Sequence, residues 1–287
     1  MSAFLATLRM IKFEHSIFAL PFAMSGAWLA ARGIPGWLDL LLISIAAISA
    51  RSAAMAFNRL VDRRLDASNP RTQDRELVTG AISSRFAAFF TLANAAIFVS
   101  SAFFLAPICG WLSLPVLVVL LGYSWLKRLT WLCHFGLGLA LGCAPAGAWL
   151  AVSKDFLPGW DIPLWMGAAV LAWVGGFDLL YAIQDVKHDL SEGLFSLPSR
   201  LGNRASRWVS MALFVLAVAI FAHVGRLAEL SWPYSVGLLC VSLLLLTMHW
   251  LLRGGREQHI PLAFFRVNAW VGVVYFAGLW GAVSLGS

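Results

Sequence analysis

The sequence predicts an all-α membrane protein: nine transmembrane helices around a central cavity, arranged as two four-helix pseudo-repeats plus one helix. Composition, the length of the apolar runs and a repeated acidic spacing lead to this prediction. Of the 287 residues, 60% are hydrophobic and 12% are charged, and the mean hydropathy is +0.80. Soluble domains carry about 25% charged residues, so this composition indicates a chain that lies in a lipid bilayer. We expect a single domain over residues 1–287.

Breaks between the apolar runs define the predicted helices in chain order. Most runs approach the length of about 20 residues that a helix needs to cross the hydrocarbon core. The breaks contain turn-forming or charged residues: Gly33 to Gly36 with Pro35, the 59–85 loop, Pro107, Lys127-Arg128, Pro158-Gly159, the 187–207 loop, Gly225 and Gly254-Gly255. The predicted helices cover residues 11–31, 38–58, 84–106, 108–126, 131–152, 162–184, 206–225, 231–252 and 264–285.

Basic residues predict the orientation of the bundle. When successive loops are assigned to alternate sides, only Arg32, Lys154 and Arg226 fall opposite the main group of lysines and arginines. The positive-inside rule then places the N-terminus and the acidic motifs in the cytoplasm, as expected for a multi-pass protein of a bacterial inner membrane. The net charge of +7 therefore describes one membrane face and does not indicate a nucleic-acid partner.

Two segments repeat polar residues at a four-residue spacing. Asn58, Asp62 and Asp66 follow the second apolar run, and Asp185 and Asp189 follow the sixth. Residues four apart lie on one helix face, so the carboxylates are stacked. Like charges about 4 Å apart repel by about 4 kcal/mol at an effective dielectric of about 20, so the pattern requires a neutralising cation.

The two motifs also predict a shared site. Four spans separate them, so both open on the same side of the membrane, as in a parallel duplication. Paired carboxylates with an amide oxygen suit a divalent metal, and Mg²⁺ is the expected ion. The predicted ligands are Asn58, Asp62, Asp66, Asp185 and Asp189, and the four aspartates are the predicted catalytic residues.

Basic residues lie in the loops beside both motifs. Carboxylates that hold Mg²⁺, together with cations that neutralise phosphate, form a mixture suited to a metal-bridged polyphosphate. For a single basic residue, the alternative is a charge that only sets topology. For Arg71, Arg75 and Lys127 as a set, with Arg128 beside them, the sequence favours ligand binding.

Arg51 and Asp178 are ionisable residues inside predicted spans. Arg51 precedes Asn58 by seven residues and therefore shares its helix face, about two turns deeper. A buried arginine costs about 2.5–3.5 kcal/mol on insertion scales, which makes it a functional-site candidate. Asp178 and Tyr181 precede Asp185 by seven and four residues. Asp178 is either an ion-pair partner of Arg51 or part of the site, and the sequence leaves both open.

Taken together, these motifs resemble the UbiA superfamily of intramembrane aromatic prenyltransferases, and the resemblance covers nearly the whole chain. The matching segments are Asn58-x3-Asp62-x3-Asp66, Asp185-x3-Asp189, Arg71-Thr72-x2-Arg75-x-Leu77 and Tyr123-x3-Lys127-Arg128. Two further segments are similar to the branch that contains 4-hydroxybenzoate polyprenyltransferases: Leu141-Gly142-x-Ala144-Pro145 and Lys12-Phe13-Glu14-His15-Ser16. One departure is Arg59, which stands where many members carry a second aspartate and cannot be a metal ligand.

The resemblance implies Mg²⁺-dependent transfer of a polyprenyl chain from prenyl diphosphate to a hydroxylated aromatic carboxylate in ubiquinone biosynthesis. Arg51 is the candidate for orienting the acceptor carboxylate. The implied substrate-binding residues are Arg51, Asn58, Arg71, Arg75, Tyr123, Lys127, Arg128, Asp178 and Tyr181.

Two alternatives remain open from the sequence. The stretch from Lys12 to Pro21 and Ala144-Pro145-x-Gly147-Ala148-Trp149 are also similar to the branch that prenylates 1,4-dihydroxy-6-naphthoate in menaquinone biosynthesis. A cation-coupled transporter would also use intramembrane acids. Transport sites, however, lie near the bilayer midplane, whereas these acids cluster at one face beside basic loops.

Overall fold

The computed structural model describes residues 3–13, 20–156, 159–252 and 257–286. Every regular element within these ranges is helical. The α-helices are α1 (Ala3–Met10), α2 (Leu20–Ala31), α3 (Trp37–Val61), α4 (Arg63–Ser68), α5 (Ser84–Leu105), α6 (Pro107–Leu129), α7 (Cys133–Ser153), α8 (Asp161–Ala182), α9 (Val186–Ser191), α10 (Leu197–Leu227), α11 (Trp232–Leu251), α12 (Ile260–Leu262) and α13 (Asn268–Gly286).

Eight helical segments of the described chain are long and apolar enough to cross a membrane. They confirm the all-α membrane fold, with α8 and α9 counted as one segment. The predicted first span, 11–31, is represented by the shorter apolar helix α2 and includes residues outside the described ranges. The count of nine and the internal repeat therefore stay predictions. The Glu14-His15-Ser16 part of the resemblance also lies outside the described residues.

Two helix boundaries differ from the prediction for clear physical reasons. The helix predicted at 206–225 begins earlier, because Ser196 caps α10 and forms a reciprocal capping box with Ser199. Gly202, with φ 80°, kinks this helix. The turns before the kink contain polar residues, and they therefore did not extend the apolar run from which the helix was predicted. The helix predicted at 38–58 continues to Val61, which places Asn58 inside α3.

The interface between α7 and α8 depends on close backbone approach. A Cβ atom on Gly142 would lie 2.7 Å from the carbonyl oxygen of Gly167, and one on Gly138 would lie 2.7 Å from that of Leu171. Small residues allow helices to pack this closely in membranes, where van der Waals contact drives association. These contacts fix α8, which carries the second acidic motif at its end, against α7.

A dense aromatic core fills the space among α2, α8, α10, α11 and α13. Phe221 and Tyr275 have ring centroids 4.3 Å apart, and Phe22 packs against both. The hydroxyl of Tyr234 donates to the carbonyl oxygen of Phe221 at 2.6 Å, which satisfies a buried polar atom. This half of the bundle therefore forms a packed support.

The other half of the bundle encloses a cavity of about 490 Å³. Its walls come mainly from α3, α5, α6 and α7, and short side chains such as Ala47 and Ala50 leave the space open. Most of the lining is apolar, while Arg51 and Tyr123 contribute polar atoms. The cavity can therefore hold an apolar molecule with a polar end.

We predict that Gly142→Ala destabilises the protein, because the added methyl group meets backbone that cannot rotate away. Overpacking of this kind costs about 1–3 kcal/mol. Gly122→Ala is the matched control, since a Cβ there meets no atom within 4 Å and alanine favours a helix interior by about 1 kcal/mol over glycine. Thermal unfolding in detergent should give a lower Tm for Gly142→Ala alone. A Tm equal to that of Gly122→Ala would contradict the packing described.

Candidate active site

The first acidic motif spans a turn between two helices. Asn58 lies in the last turn of α3, Asp62 joins α3 to α4, and Asp66 lies within α4. The backbone N–H of Asp62 donates to the carbonyl oxygen of Asn58 at 2.9 Å, and that of Asp66 to Asp62 at 2.7 Å. The four-residue hydrogen bonds thus continue through the joint. The Nδ2 atom of Asn58 donates to Oδ2 of Asp62 at 2.9 Å, which orients that carboxylate.

A similar joint carries the second motif. After α8 ends at Ala182, residues Ile183–Asp185 form one tighter 3₁₀ turn before α9 begins. Asp185 is 6% exposed and Asp189 is fully buried. Buried carboxylates require partners, since an uncompensated buried charge is costly.

Each of the four aspartates forms an ion pair with a different basic residue. The shortest N–O distances are 2.8 Å for Asp62–Arg128, 2.5 Å for Asp66–Arg75, 2.6 Å for Asp185–Arg71 and 2.7 Å for Asp189–Lys127. These pairs bring the two motifs into one site, as their predicted common side requires. They also supply the neutralising positive charge that the stacked carboxylates require. The four basic residues predicted in the loops beside the motifs, Arg71, Arg75, Lys127 and Arg128, therefore all contact the predicted carboxylates.

Arg71 is the most constrained of these cations. Its Nε and Nη2 atoms donate to the two oxygens of Asp185 at 2.9 and 2.6 Å, a bidentate pair. Its Nη1 atom donates to the hydroxyl of Tyr181 at 2.9 Å, and the guanidinium lies 5.1 Å from the centroid of that ring. Partial burial opposes the charged form, but the hydrogen bonds with Asp185 prevail and raise the pKa of Arg71.

Asn69 is a site residue that the sequence analysis missed. Its Nδ2 atom donates to Oδ1 of Asp185 at 3.0 Å, and its own Oδ1 accepts the backbone N–H of Arg71 at 2.9 Å. It thereby fixes the loop that carries Arg71. The available signal was an asparagine before Pro70, three residues after the first motif, which is a turn-forming pair.

Burial and the charge of Arg128 act in opposite directions on the ionisation of Asp62. Burial raises the pKa of this carboxyl above its ordinary value, and Arg128 opposes the shift without cancelling it. Arg128 also donates to the carbonyl oxygen of Val61 at 3.0 Å, so its positive charge is shared. The ionised carboxylate is therefore incompletely compensated by its side-chain partner.

The donor set fits Mg²⁺, although the described residues contain no preformed cluster of three or more His, Cys, Asp or Glu side chains. Mg²⁺ takes oxygen ligands and commonly binds through one or two carboxylates, with substrate phosphates and water completing its shell. The aspartates provide oxygen ligands, and their basic partners are side chains that also bind phosphate. A ligand carrying both metal and phosphate would satisfy both sets.

Arg51 and Tyr123 connect this ion-paired site with the cavity. Both line the cavity wall, from α3 and α6 respectively. Tyr123 lies within electrostatic range of Arg51, Asp62 and Asp178. Arg51 and Asp178, the two ionisable residues predicted inside the spans, are therefore both near Tyr123.

Asp178 has a partner that the sequence analysis did not anticipate. Its Oδ2 atom lies 2.6 Å from Nδ1 of His134 on α7. The sequence analysis had considered only Arg51 as a structural partner of Asp178. The missed signal was a polar histidine at the start of an apolar helix.

Arg59 contacts the backbone of α1. It is 4% exposed, and its Nε atom donates to the carbonyl oxygen of Met10 at 3.3 Å. This bond ties α1 to α3.

The fold and the site define a helical membrane protein with a cluster of ion pairs beside an apolar cavity. Residues 19–271 match the UbiA prenyltransferase family, and the chain belongs to this family.

Related proteins are similar along most of their length. The 4-hydroxybenzoate octaprenyltransferase of Saccharophagus degradans is 30% identical over 253 residues, which cover 88% of this chain and 83% of the relative. The protein of the same name from Xanthomonas euvesicatoria pv. vesicatoria is 32% identical over 262 residues, 90% of this chain and 84% of the relative.

Solved structures agree with the fold. The apo structure of a UbiA homolog from Aeropyrum pernix K1 is 35% identical with a TM-score of 0.85, covering 92% of this chain and 96% of that chain. A UbiA homolog from Archaeoglobus fulgidus bound to DMAPP and Mg²⁺ is 18% identical with a TM-score of 0.71, covering 97% of this chain and 99% of that chain. The second likeness concerns the fold alone.

We predict that Lys127→Met destabilises the protein by leaving Asp189 buried without its cation. Losing one partner of a fully buried pair costs about 3–5 kcal/mol, and Lys127 is one-third exposed, so we expect on the order of 2 kcal/mol. Adding Asp189→Asn should restore part of the loss. Detergent unfolding of both single variants and the double variant measures this coupling. The exposed Lys187→Met is the control, and additive losses at Lys127 and Asp189 would refute the pairing.

Proposed function

We propose that the protein transfers a polyprenyl chain from prenyl diphosphate to a hydroxylated aromatic carboxylate of the 4-hydroxybenzoate type. The observation that carries the proposal is the set of four carboxylate–cation pairs beside an apolar cavity. A diphosphate suits the basic side chains of these pairs, Mg²⁺ suits their carboxylates, and an isoprenoid chain suits the apolar cavity. The names of the related proteins and the ligands of the Archaeoglobus fulgidus homolog support the same assignment.

The donor site consists of the residues of both motifs. Asn58 and the four aspartates would hold Mg²⁺, which supplies Lewis-acid stabilisation of the diphosphate when bound. When the donor enters, the basic residues exchange their carboxylate contacts for phosphate oxygens. Arg71, Arg75, Lys127 and Arg128 then neutralise the negative charge that grows as the allylic carbon–oxygen bond breaks.

The cavity determines what happens to the allylic cation. Its apolar walls exclude water, which would otherwise capture the cation and give a prenyl alcohol. Tyr123 places an aromatic ring at the cavity wall beside Asp62, where a ring face can stabilise positive charge. An electron-rich ring carbon of the acceptor then forms the new carbon–carbon bond.

The orientation forms part of the proposal. Three cations of the site, Arg71, Arg75 and Lys127, lie with the acidic motifs at the same ends of the helices. The positive-inside rule places this end in the cytoplasm, and in a bacterium the membrane would be the inner one. Prenyl diphosphate and the aromatic acid would therefore enter from the cytoplasm and the lipid.

Transfer is tested with purified protein in lipid nanodiscs, radiolabelled polyprenyl diphosphate and two acceptors, 4-hydroxybenzoate and 1,4-dihydroxy-6-naphthoate. We expect prenylated 4-hydroxybenzoate with Mg²⁺ and none with a chelator. Product with the naphthoate alone would reassign the acceptor. No product with either aromatic acid in the presence of Mg²⁺ would overturn the proposed function.

We predict that Asp62→Asn lowers kcat by at least about 100-fold, the scale of losing one electrostatic stabiliser of the transition state. Asp39→Asn is the matched control: Asp39 lies on the same helix but pairs with Lys154 at its opposite end, at 2.6 Å. This control should keep normal turnover. Turnover is measured on variants with unchanged melting curves, and a normal kcat for Asp62→Asn would exclude that carboxylate from the donor site.

We predict that Arg51→Ala raises the acceptor KM. A charge-assisted hydrogen bond contributes about 1.5–3 kcal/mol, so losing it corresponds to about 10–150-fold weaker acceptor binding. A phenol without a carboxylate should lose far less. Kinetics with both acceptors separate the two, and equal losses would contradict a role in reading the carboxylate. If adding Asp178→Ala restored the melting temperature that Arg51→Ala lowers, the two side chains would instead be coupled structurally.

A further inference from the structure

A second concave site lies behind the first acidic motif, where α3 ends and α5 begins. This basic pocket encloses about 550 Å³, and Arg63, Arg64 and Ser84 supply the polar part of its lining. The apolar part of the lining comes mainly from Leu60, Val61 and Val78. Among the described residues that line the pocket, two are arginines and none is acidic. The pocket therefore suits an anion that also carries an apolar group.

The basic pocket and the motif carboxylates lie on opposite faces of the joint between α3 and α4. At about 100° per residue, Asp66 is only about 40° from Asp62 around the helix, whereas Arg63 and Arg64 are about 100° and 200° from Asp62. In the described part of the chain, neither of these arginines forms an ion pair with a carboxylate. The basic pocket is therefore separate from the donor site, and its positive charge is not neutralised by the protein.

Neutral acceptors hold Arg63 in place. Its Nε atom donates to the carbonyl oxygen of Leu77 at 3.0 Å, and its Nη1 atom donates to Oγ of Ser84 at 3.2 Å. These bonds use two of the five N–H donors of the guanidinium and leave three for a ligand. Arg64 is exposed and adds a second cation. Guanidinium groups with free N–H donors match the oxygens of a phosphate group in geometry and charge.

The level of the basic pocket in the membrane favours a lipid phosphate. Val61 is the last residue of one membrane-crossing helix, and Ser84 is the first residue of another. The pocket thus lies at the edge of the hydrocarbon core, where the headgroups of the bilayer are found. In the orientation proposed above, this edge belongs to the cytoplasmic leaflet, which carries anionic lipids and attracts clustered arginines.

The surface of α5 beside the basic pocket suits an acyl chain. Ser84, Ala88 and Leu92 are spaced four residues apart and therefore share one face of the helix. Ala88 is exposed, and Leu92 and the neighbouring Phe89 are each 69% exposed. Since α5 enters the membrane at Ser84, this apolar face leads from the pocket toward the centre of the bilayer.

We propose that the basic pocket binds the phosphate group of an anionic phospholipid. Arg63 and Arg64 bind the phosphate oxygens, and an acyl chain lies along the exposed face of α5. The bound lipid joins the end of α3 to the start of α5 behind the aspartates. It uses no side chain of the donor site, so the inference does not depend on the transfer reaction. A free phosphate ion shares the headgroup chemistry but leaves the apolar face of α5 unused.

Native mass spectrometry of the full chain in detergent can measure the affinity for the first bound lipid. The probes are phosphatidylglycerol, which is anionic, and phosphatidylcholine, which has no net charge. We expect the wild-type protein to bind phosphatidylglycerol more tightly. Arg64→Gln should weaken this binding by about 10-fold or more, the effect of losing one charge-assisted hydrogen bond. Because Arg64 is exposed, the variant should keep the wild-type melting curve.

Two further variants separate a shaped site from general attraction by charge. Arg204→Gln removes the same charge from an exposed position near the start of α10, outside the basic pocket, and should leave lipid affinity unchanged. Val78→Trp keeps every charge but fills the pocket, so it should weaken phosphatidylglycerol binding as Arg64→Gln does.

Equal losses in Arg64→Gln and Arg204→Gln would mean that lipid binding follows net charge alone, and they would overturn the inference. Wild-type affinity in Val78→Trp would do the same. In a third arm, inorganic phosphate is added in competition with phosphatidylglycerol. Displacement of the lipid at a similar concentration would assign the pocket to free phosphate and reject the lipid, whereas retention of the lipid supports the proposed contact with α5.

Discussion

Neutralisation of four buried or half-buried carboxylates is the constraint on which the rest of this structure depends. Two of the ion pairs, Arg71–Asp185 and Lys127–Asp189, join the second motif to residues that lie far before it in the sequence. They hold the first-motif loop and the end of α6 against the second motif. An isolated buried charge costs several kcal/mol, so the motif geometry is stable only while these partners are in place.

In the proposed function, the same pairs prepare the site for an anionic ligand. A carboxylate that releases its arginine to a phosphate becomes available to a metal ion, and both exchanges conserve the number of favourable charge contacts. Binding of metal and of diphosphate is therefore expected to be mutually dependent.

The two halves of the bundle differ in packing: one is densely packed and the other contains the cavity. Ring contacts among Phe22, Phe221 and Tyr275 fill the half that contains α2, α8, α10, α11 and α13. The glycines of α7 and α8 bring the backbones of these two helices together. Alanines on α3 leave the cavity open in the other half. A rigid wall beside an open one can hold a reactive cation in place while accepting an apolar chain.

Composition and spacing predicted much of this arrangement. Apolar runs of the right length indicated membrane helices, and the four-residue spacing indicated the carboxylates. Both signals could be used because they are local in the sequence. The partners were not predictable, since tertiary packing determines them: Asp178 bonds His134 on α7, and Asp185 binds Asn69. The early start of α10 was not predicted from hydropathy, because a polar capping box marks the beginning of that helix.

Mutual dependence of metal and donor binding is the most direct test of this account. Titration calorimetry of the wild-type protein in nanodiscs can measure the affinity for a non-cleavable prenyl diphosphate analogue with and without Mg²⁺, and the affinity for Mg²⁺ with and without the analogue. We predict that each ligand tightens the other by the same factor, as linkage requires. Equal affinity for the analogue in Mg²⁺ and in chelator would contradict the account.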